Sequence, residues 1–336
     1  MTAVAKPSPI AVLGAGSWGT ALTVQLARSG QPVSLWGRNT PELREVGNER
    51  TNRRYLPGVA LPDCVRIEPN LKTVVRAHRD LLVCVPSHAF RYMLSAIRPD
   101  LVEGARVAWA TKGFERESGQ LPHEVAVAEL GPDVPVAVLS GPTFAREVGA
   151  GLPTAMTVAA SDPAFATDLA ARLSHHNFRA YTSSDIIGVE VGGAVKNVLA
   201  IAAGISDGLG FGANTRIALI TRGLAEMTAL GVALGARAVT FMGLSGMGDL
   251  VLTCTDDQSR NRRFGLALAS GKSAEDAARD IGQVVEGQFA ATAVRAVARR
   301  LNLEMPICEQ VYLVLNEKLP PRDAAMALLA RGLGPE

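Results

Sequence analysis

Residues 9 to 28 read PIAVLGAGSWGTALTVQLAR, and the order of parts in that stretch decides the fold. Residues 9–13 form a short apolar run of β character. It passes straight into Gly14-Ala15-Gly16-Ser17-Trp18-Gly19, and residues 20–28 then carry helical periodicity until Gly30 closes the helix. Strand, glycine turn and helix in this order suit a dinucleotide. Gly14 permits the tight turn, Gly16 lets a pyrophosphate approach the backbone, and Gly19 allows close helix–strand packing. The helix N-terminus then faces the phosphate. A ligand-free turn would need the same glycines; the correct flanks and a following strand favour the ligand.

Working outward, residues 33–36 form a second strand ending at Gly37-Arg38-Asn39. A site specific for NAD places an acidic residue here for the ribose 2′-hydroxyl. This chain has none. Arg38 can instead take a 2′-phosphate, with Arg53 or Arg54 nearby, or it can stack on adenine or stay solvated. The pattern leans toward NADP(H) and leaves NAD(H) open. Residues 65–67 read as a short strand, and 80–85 as a buried one ending at Pro86-Ser87. Residues 106–110 lead to Thr111-Lys112-Gly113, and residues 134–139 to Ser140-Gly141-Pro142-Thr143-Phe144-Ala145. Three strand ends thus bring Ser87, Lys112 and Gly141 to Thr143 to one rim, where such sheets bind ligands. Residues 154–159 and 177–182 extend the sheet. The expectation is a doubly wound, mostly parallel α/β domain of the Rossmann kind over residues 1–187, followed by an all-helical substrate and catalytic domain over residues 188–336.

The helical part opens on residues 186–205, IIGVEVGGAVKNVLAIAAGI. Asp185 can cap this segment. It is apolar on nearly all sides, so it reads as a buried central helix, yet it carries Glu190, Lys196 and Asn197. A buried ammonium costs several kcal/mol or titrates low, so Lys196 has a partner or a job. Pairing with Glu190 or reaching out to water would be the structural alternatives. Gly192 and Ala200 flank Lys196 on its face and should leave space there. Farther on, Asn214 can cap a helix, and a glycine-rich turn at 241–248 places Asp249, unless that is an ordinary turn aspartate. Ser259-Arg260-Asn261-Arg262-Arg263 masses donors at a helix start, which suits a phosphate or a solvated basic end. Residues 274–281, 287–301, 306–315 and 322–332 read as further amphipathic helices.

The bulk numbers exclude several classes. The 336 residues are 48% hydrophobic and 20% charged, with 34 basic against 32 acidic side chains and a net charge of +2. No basic patch interleaved with aromatics marks nucleic acid as a partner. The 4 cysteines, Cys64, Cys84, Cys254 and Cys308, are widely spaced and fit reduced thiols in the cytoplasm. No spacing suggests a metal, and the adjacent His175 and His176 cannot share a helical face. The first residues lack the apolar core of a signal peptide. Glu190 and Lys196 interrupt the richest apolar stretch, so no integral membrane segment is expected.

Seven motifs together resemble the bacterial type of NAD(P)-dependent glycerol-3-phosphate dehydrogenase: GAGSWGTA (14–21), TKGF (111–114), SGPTFARE (140–147), GVEVGGAVKNV (188–198), GLSGMGDL (243–250), SRNRRFG (259–265) and VVEG (284–287). Met247 stands where leucine is commoner in that family, and Trp18 where other aromatics also occur. The resemblance implies a helical domain of the 6-phosphogluconate-dehydrogenase-like type. It implies reduction of dihydroxyacetone phosphate to sn-glycerol 3-phosphate, the backbone of glycerophospholipids. Lys196 would be the proton acceptor of the reverse reaction. Lys112 would touch substrate and cofactor; Gly141, Thr143, Asp249, Ser259, Arg260 and Asn261 fall on substrate positions. Ser17, Trp18, Arg38, Ala145, Val284 and Glu286 fall on cofactor positions, with Arg260 near the cofactor as well. No metal is implied, and the apolar surface of the helical domain leaves room for a homodimer. Two alternatives remain: a β-hydroxyacid or ketopantoate-type reductase, which would require a carboxylate, and a dinucleotide sensor that binds without turnover.

Overall fold

The run after Pro9 becomes strand β1 (Ile10–Leu13), buried along its whole length. Residues 8–330 are described by the computed structural model. The leader reading at residues 1–7 and the last two residues of the 322–332 segment lie outside them. The chain forms two units, one comprising the residues up to Thr111 with Pro122–Ile186, the other Lys112–Leu121 and the residues from Ile187 on.

In the first unit, β1 pairs in parallel with β2 (Val33–Trp36) on one side and with β6 (Asp80–Val83) on the other, Ile10 lying opposite both Val33 and Asp80. β5 (Val65–Ile67) adds beyond β2, and β7 (Arg106–Trp109) and β8 (Val136–Ser140) add beyond β6, all in parallel. β9 (Thr154–Ala160) runs antiparallel to β8, with Ala137 opposite Ala160, and β10 (Phe178–Ser183) follows β9 in parallel. The eight strands therefore lie in the order β10-β9-β8-β7-β6-β1-β2-β5. A hairpin of β3 (Thr51–Asn52) and β4 (Leu56–Ala60) stands apart from this sheet. Seven helices join the strands: α1 (Ser17–Ala27), α2 (Thr40–Glu49), α3 (Leu71–Ala77), α4 (Phe90–Ile97), α5 (Pro122–Leu130), α6 (Ala145–Ala150) and α7 (Pro163–Leu173). β1, β2 and β6 are buried at every residue, as strands of a parallel sheet covered on both faces must be. The connections run outward from β1 through β2, then return to β6 on its other side. The carboxyl end of β1 is thus the switch point at which open α/β sheets bind ligands.

The second unit is helical. α8 (Ile186–Gly208), buried over most of its length, is followed by α9 (Ala213–Ala233), α10 (Asp249–Thr255), α11 (Arg260–Ala269), α12 (Ala274–Ile281), α13 (Glu286–Arg300), α14 (Pro306–Asn316) and α15 (Pro321–Leu329). Asn214 does not cap α9; the helix starts at Ala213, behind an extended Gly212 cap that offers no side chain. By length and hydropathy alone α8 could cross a membrane, with a mean hydropathy of 1.6, but 89% of that window is buried inside the protein.

Glycines on α8 set how closely its neighbours approach. A Cβ on Gly204 would sit 2.1 Å from the Arg262 carbonyl oxygen, and one on Gly265 2.2 Å from that of Ile201. The α8–α11 crossing is therefore backbone against backbone. Gly204→Ala is expected to destabilise the protein by about 1–3 kcal/mol, because a carbonyl cannot swing aside as a side chain can. A lower urea midpoint at unchanged slope would show this; an unchanged midpoint would mean that the helices separate at little cost.

Candidate active site

Backbone sterics build the glycine turn after β1. Gly14 sits at φ +130°, and a Cβ there would lie 2.4 Å from the Cys84 carbonyl oxygen. At Gly19 a Cβ would meet the Gly14 oxygen at 1.8 Å, so α1 can pack this close only without a side chain. Gly16 differs, since nothing lies within 4 Å of where its Cβ would be. Gly16 also precedes α1 without giving any side-chain cap to the first turn, so the N–H groups around Ser17 and Trp18 are free of that competitor. The indole N–H of Trp18 is buried and has no hydrogen-bond partner. Open space, uncapped amides and an orphaned donor all fit a dinucleotide pyrophosphate.

The hairpin, which the sequence reading missed, holds this turn in shape. Asn52 Nδ2 donates to the Ala15 carbonyl at 2.9 Å and to Thr20 Oγ1 at 2.9 Å. The end of β2 also lies against the turn, a Cβ on Gly37 falling 2.8 Å from Ala15 Cβ. Arg38 follows it, exposed and without an ion pair among the described residues. Arg53 pairs with Glu49 and Arg54 with Glu42. At the end of β8, Gly141 has φ +152° and passes so near β9 that a Cβ would meet Met156 Cα at 2.9 Å. Thr143 donates to the Gly141 carbonyl at 3.2 Å, and Ala145 begins α6, half-buried. These groups share the rim formed by the carboxyl ends of the parallel strands.

The second unit holds a cluster of two ammonium groups on one carboxylate. Asp249 starts α10, after a single turn of π-helix formed by Leu244–Gly248. Lys196 Nζ donates to Asp249 Oδ1 at 2.5 Å and to Thr253 Oγ1 at 3.1 Å. Lys112 Nζ donates to the other oxygen, Oδ2, at 2.7 Å. Asp249 is 1% exposed and Lys196 7%, so water does little to screen these charges. Burial brings the Lys196 ammonium down to about 7; Asp249 opposes that fall and Lys112 adds to it. Burial would raise the Asp249 carboxyl, but Lys112 and Lys196 together outweigh it and hold the group below the usual carboxylate range. The partner of Lys196 is thus Asp249, and not Glu190.

The expected space beside Lys196 at Gly192 is filled, as a Cβ there would lie 2.3 Å from the Ser245 carbonyl oxygen. Gly192 is small so that the turn leading to Asp249 can press on α8. Thr253 was missed in the sequence. It lies one helical turn after Asp249, where its hydroxyl donates to the Asp249 carbonyl at 2.6 Å.

The 259–263 run divides by task. Ser259 caps α11 by accepting from Arg262 N–H at 3.2 Å. Asn261 donates to Asn197 Oδ1 at 2.9 Å and accepts from Gly287 N–H at 2.9 Å, tying α8 and α11 to the start of α13. Arg262 pairs with Asp207 at 2.6 Å and with Asp257, and Arg263 is exposed. Arg260 keeps the loosest partner, Gln283 Oε1 at 3.4 Å. Burial lowers its pKa, while Glu286 supports its charge. Val284 and Glu286, both half-buried, precede and begin α13. Arg260 and the exposed Arg263 are thus the two guanidinium groups of the run without a close ion pair among the described residues, and Arg260 is the more buried of the two. Among the described residues no group of three His, Cys, Asp or Glu side chains could hold a metal ion.

Residues 9–166 match the family model for the N-terminus of NAD-dependent glycerol-3-phosphate dehydrogenase, and residues 185–326 match its C-terminus. A glycerol-3-phosphate dehydrogenase [NAD(P)+] of Pseudoalteromonas translucida is 56% identical over 325 residues, covering 96% of this chain and 97% of that protein. The chain belongs to the NAD-dependent glycerol-3-phosphate dehydrogenase family. The crystal structure of glycerol-3-phosphate dehydrogenase from Coxiella burnetii is 48% identical and superposes with a TM-score of 0.94, covering 96% of this chain and 99% of that one. A ketopantoate reductase of Ralstonia eutropha, 18% identical with a TM-score of 0.59 over 94% of this chain and 99% of its own, shares the fold alone. Membership in the glycerol-3-phosphate dehydrogenase family makes the chain an NAD(P)-dependent oxidoreductase with a small-molecule substrate.

Proposed function

We propose that this chain reversibly reduces dihydroxyacetone phosphate to sn-glycerol 3-phosphate with NADPH or NADH, supplying glycerophospholipid synthesis in the cytoplasm. The observation that carries the reading is the Lys196 amine, buried, titrating near 7 and held on Asp249 beside a second ammonium. Four free thiols, Cys64, Cys84, Cys254 and Cys308, suit a reducing compartment.

Gly14, Gly16, Ser17, Trp18 and Gly19 would hold the pyrophosphate, with Arg38 at the adenosine ribose and Ala145, Val284 and Glu286 as further contacts. When bound, the reduced dinucleotide supplies the hydride for the ketone carbon. Lys196 as an ammonium polarises the ketone oxygen and donates the proton to it; in reverse, the neutral amine accepts the hydroxyl proton. A proton donor with a pKa near working pH gives up its proton readily and still carries it when substrate arrives. Asp249 fixes the direction of the amine and, with Gly141 and Thr143, borders the substrate. Lys112 adds positive charge at the oxygen and touches the cofactor. Arg260 grips the phosphate and also lies near the cofactor; Ser259 and Asn261 present it on a rigid helix start. Binding energy from that remote phosphate then holds the ketone carbon in place for reaction.

Initial rates with dihydroxyacetone phosphate, using NADPH and NADH in parallel, test the reading against a panel of 2-oxo acids. Turnover of the phosphorylated ketone is expected, and preference for a carboxylate substrate would overturn it. In Arg260→Ala, KM for dihydroxyacetone phosphate is expected to rise roughly 10- to 100-fold, as loss of a charge-assisted hydrogen bond worth about 1.5–3 kcal/mol implies. An unchanged KM would remove the phosphate from Arg260.

A further inference from the structure

Lys112 stands on a segment that the sheet does not own. Residues 112–121 follow β7 in sequence, yet they pack within the helical unit. Gly113, at φ +122°, lets the chain turn between Lys112 and Phe114. Phe114 and Leu121, each 2% exposed, are buried in the core built around α8. Between these two plugs the segment closes on itself, Glu115 N–H donating to the Gln120 carbonyl at 2.9 Å and Gly119 N–H to the Glu115 carbonyl at 3.0 Å. Its outer turn rests on α13. The Arg116 guanidinium lies over the Phe289 ring at 4.0 Å, and a Cβ on Gly119 would meet Val297 Cγ2 at 3.3 Å.

We propose that residues 112–121 are a strap that positions the Lys112 ammonium on Asp249, and that Arg116, stacked on Phe289, is the positioning residue that holds it. A lysine stem has four rotatable bonds, and keeping its head on one carboxylate oxygen costs rotamer entropy. The strap lowers that cost by fixing the Lys112 backbone two residues from a core plug. The plugs make the strap fold, and the Arg116 stack selects its register on α13. Arg116 is exposed, so its removal leaves no cavity and no buried charge without a partner. Phe114 is a poor test residue for the opposite reason, since its truncation would open the core.

The inference rests on the reading of Lys112 as a group at the reaction centre, and the experiment separates the two. kcat/KM for dihydroxyacetone phosphate is measured for wild type, Arg116→Ala, Arg116→Lys, Lys112→Ala and the Lys112→Ala/Arg116→Ala double variant. An exposed cation–π contact shifts an equilibrium by roughly two- to fivefold, so Arg116→Ala should lose about that factor. Arg116→Lys, which keeps a cation over the ring, should recover most of it. In the Lys112→Ala background the Arg116→Ala change should cost nothing more, because its effect passes through Lys112. A loss by the same factor in both backgrounds would mean that Arg116 only supports the fold, and no loss in either would mean that the stack positions nothing; each overturns the strap. If Lys112→Ala alone left kcat/KM untouched, the role of Lys112 itself would fail, and the strap with it.

Discussion

Lys196→Ala is expected to lower kcat/KM for dihydroxyacetone phosphate by about 10²- to 10⁴-fold, the usual contribution of a general acid–base group. The loss belongs to the chemical step, so it should appear in kcat, with the affinity for NADPH unchanged when measured by nucleotide fluorescence. The fold should survive the change. Asp249 keeps Lys112 on Oδ2 at 2.7 Å, so its carboxylate is not left buried without a counter-charge. Lys196→Met serves as the control for packing, because it keeps most of the stem and removes only the amine. The two variants should be equally inactive if the amine matters, and alanine should be the worse of the two if filling α8 matters. Near-wild-type turnover in either variant would remove proton transfer from Lys196.

The pH dependence has a defined sign. The ammonium is the form that donates, and it is present below the pKa of about 7. Reduction should therefore be supported at lower pH and fall as pH rises through that value. With an ordinary lysine near 10.5 the same limb would lie about 3.5 pH units higher, so its position reports burial together with the opposing charges of Asp249 and Lys112.

Much of this was legible in the sequence because the relevant restraints are local. Gly14, Gly16 and Gly19 sit at fixed offsets after an apolar run, and the backbone contacts of Gly14 and Gly19 show why no larger residue fits. Lys196 announced itself as a charge in a segment too apolar for solvent, which required a partner without naming it. The partner was hidden because Asp249 lies 53 residues away and reaches Lys196 only through tertiary packing. The nearer Glu190 is the acidic residue that the stretch 186–205 itself offers. Gly192 was misread for a related reason: a missing side chain looks like space in sequence, but here the Ser245 carbonyl occupies it. The 259–263 run shows how one composition can hide several tasks. Five polar side chains look like one phosphate grip, yet Ser259, Asn261 and Arg262 are engaged by α11 and its neighbours, Arg263 is exposed, and Arg260 is half-buried with only a weak partner. Asn52 went unseen because its hairpin is short and polar, with Arg53, Arg54 and Pro57 obscuring any strand alternation.

Asp249→Asn is expected to have the second large effect, and one that differs in kind. The substitution keeps size and hydrogen-bonding capacity but removes the carboxylate that, among the described residues, both Lys196 and Lys112 pair with. Two ammonium groups then face each other across a neutral amide in a region of low dielectric. Asp249 is what opposes the fall of the Lys196 pKa, while burial and Lys112 drive that fall. Without the carboxylate the pKa must drop further, and an opposite charge at this range is typically worth roughly 1–3 pH units. The limb of kcat/KM for reduction should move to lower pH by that amount. At pH 7, where about half of the wild-type amine is protonated, the rate should then be about 5- to 500-fold below wild type, since the donating form becomes rarer by that factor. Acidification should restore much of the loss, which it could not do for Lys196→Ala, where no amine remains to protonate. If the limb stayed near 7 while the rate fell at every pH, Asp249 would act by contact with substrate, and the charge state of Lys196 would be set by burial and Lys112 alone.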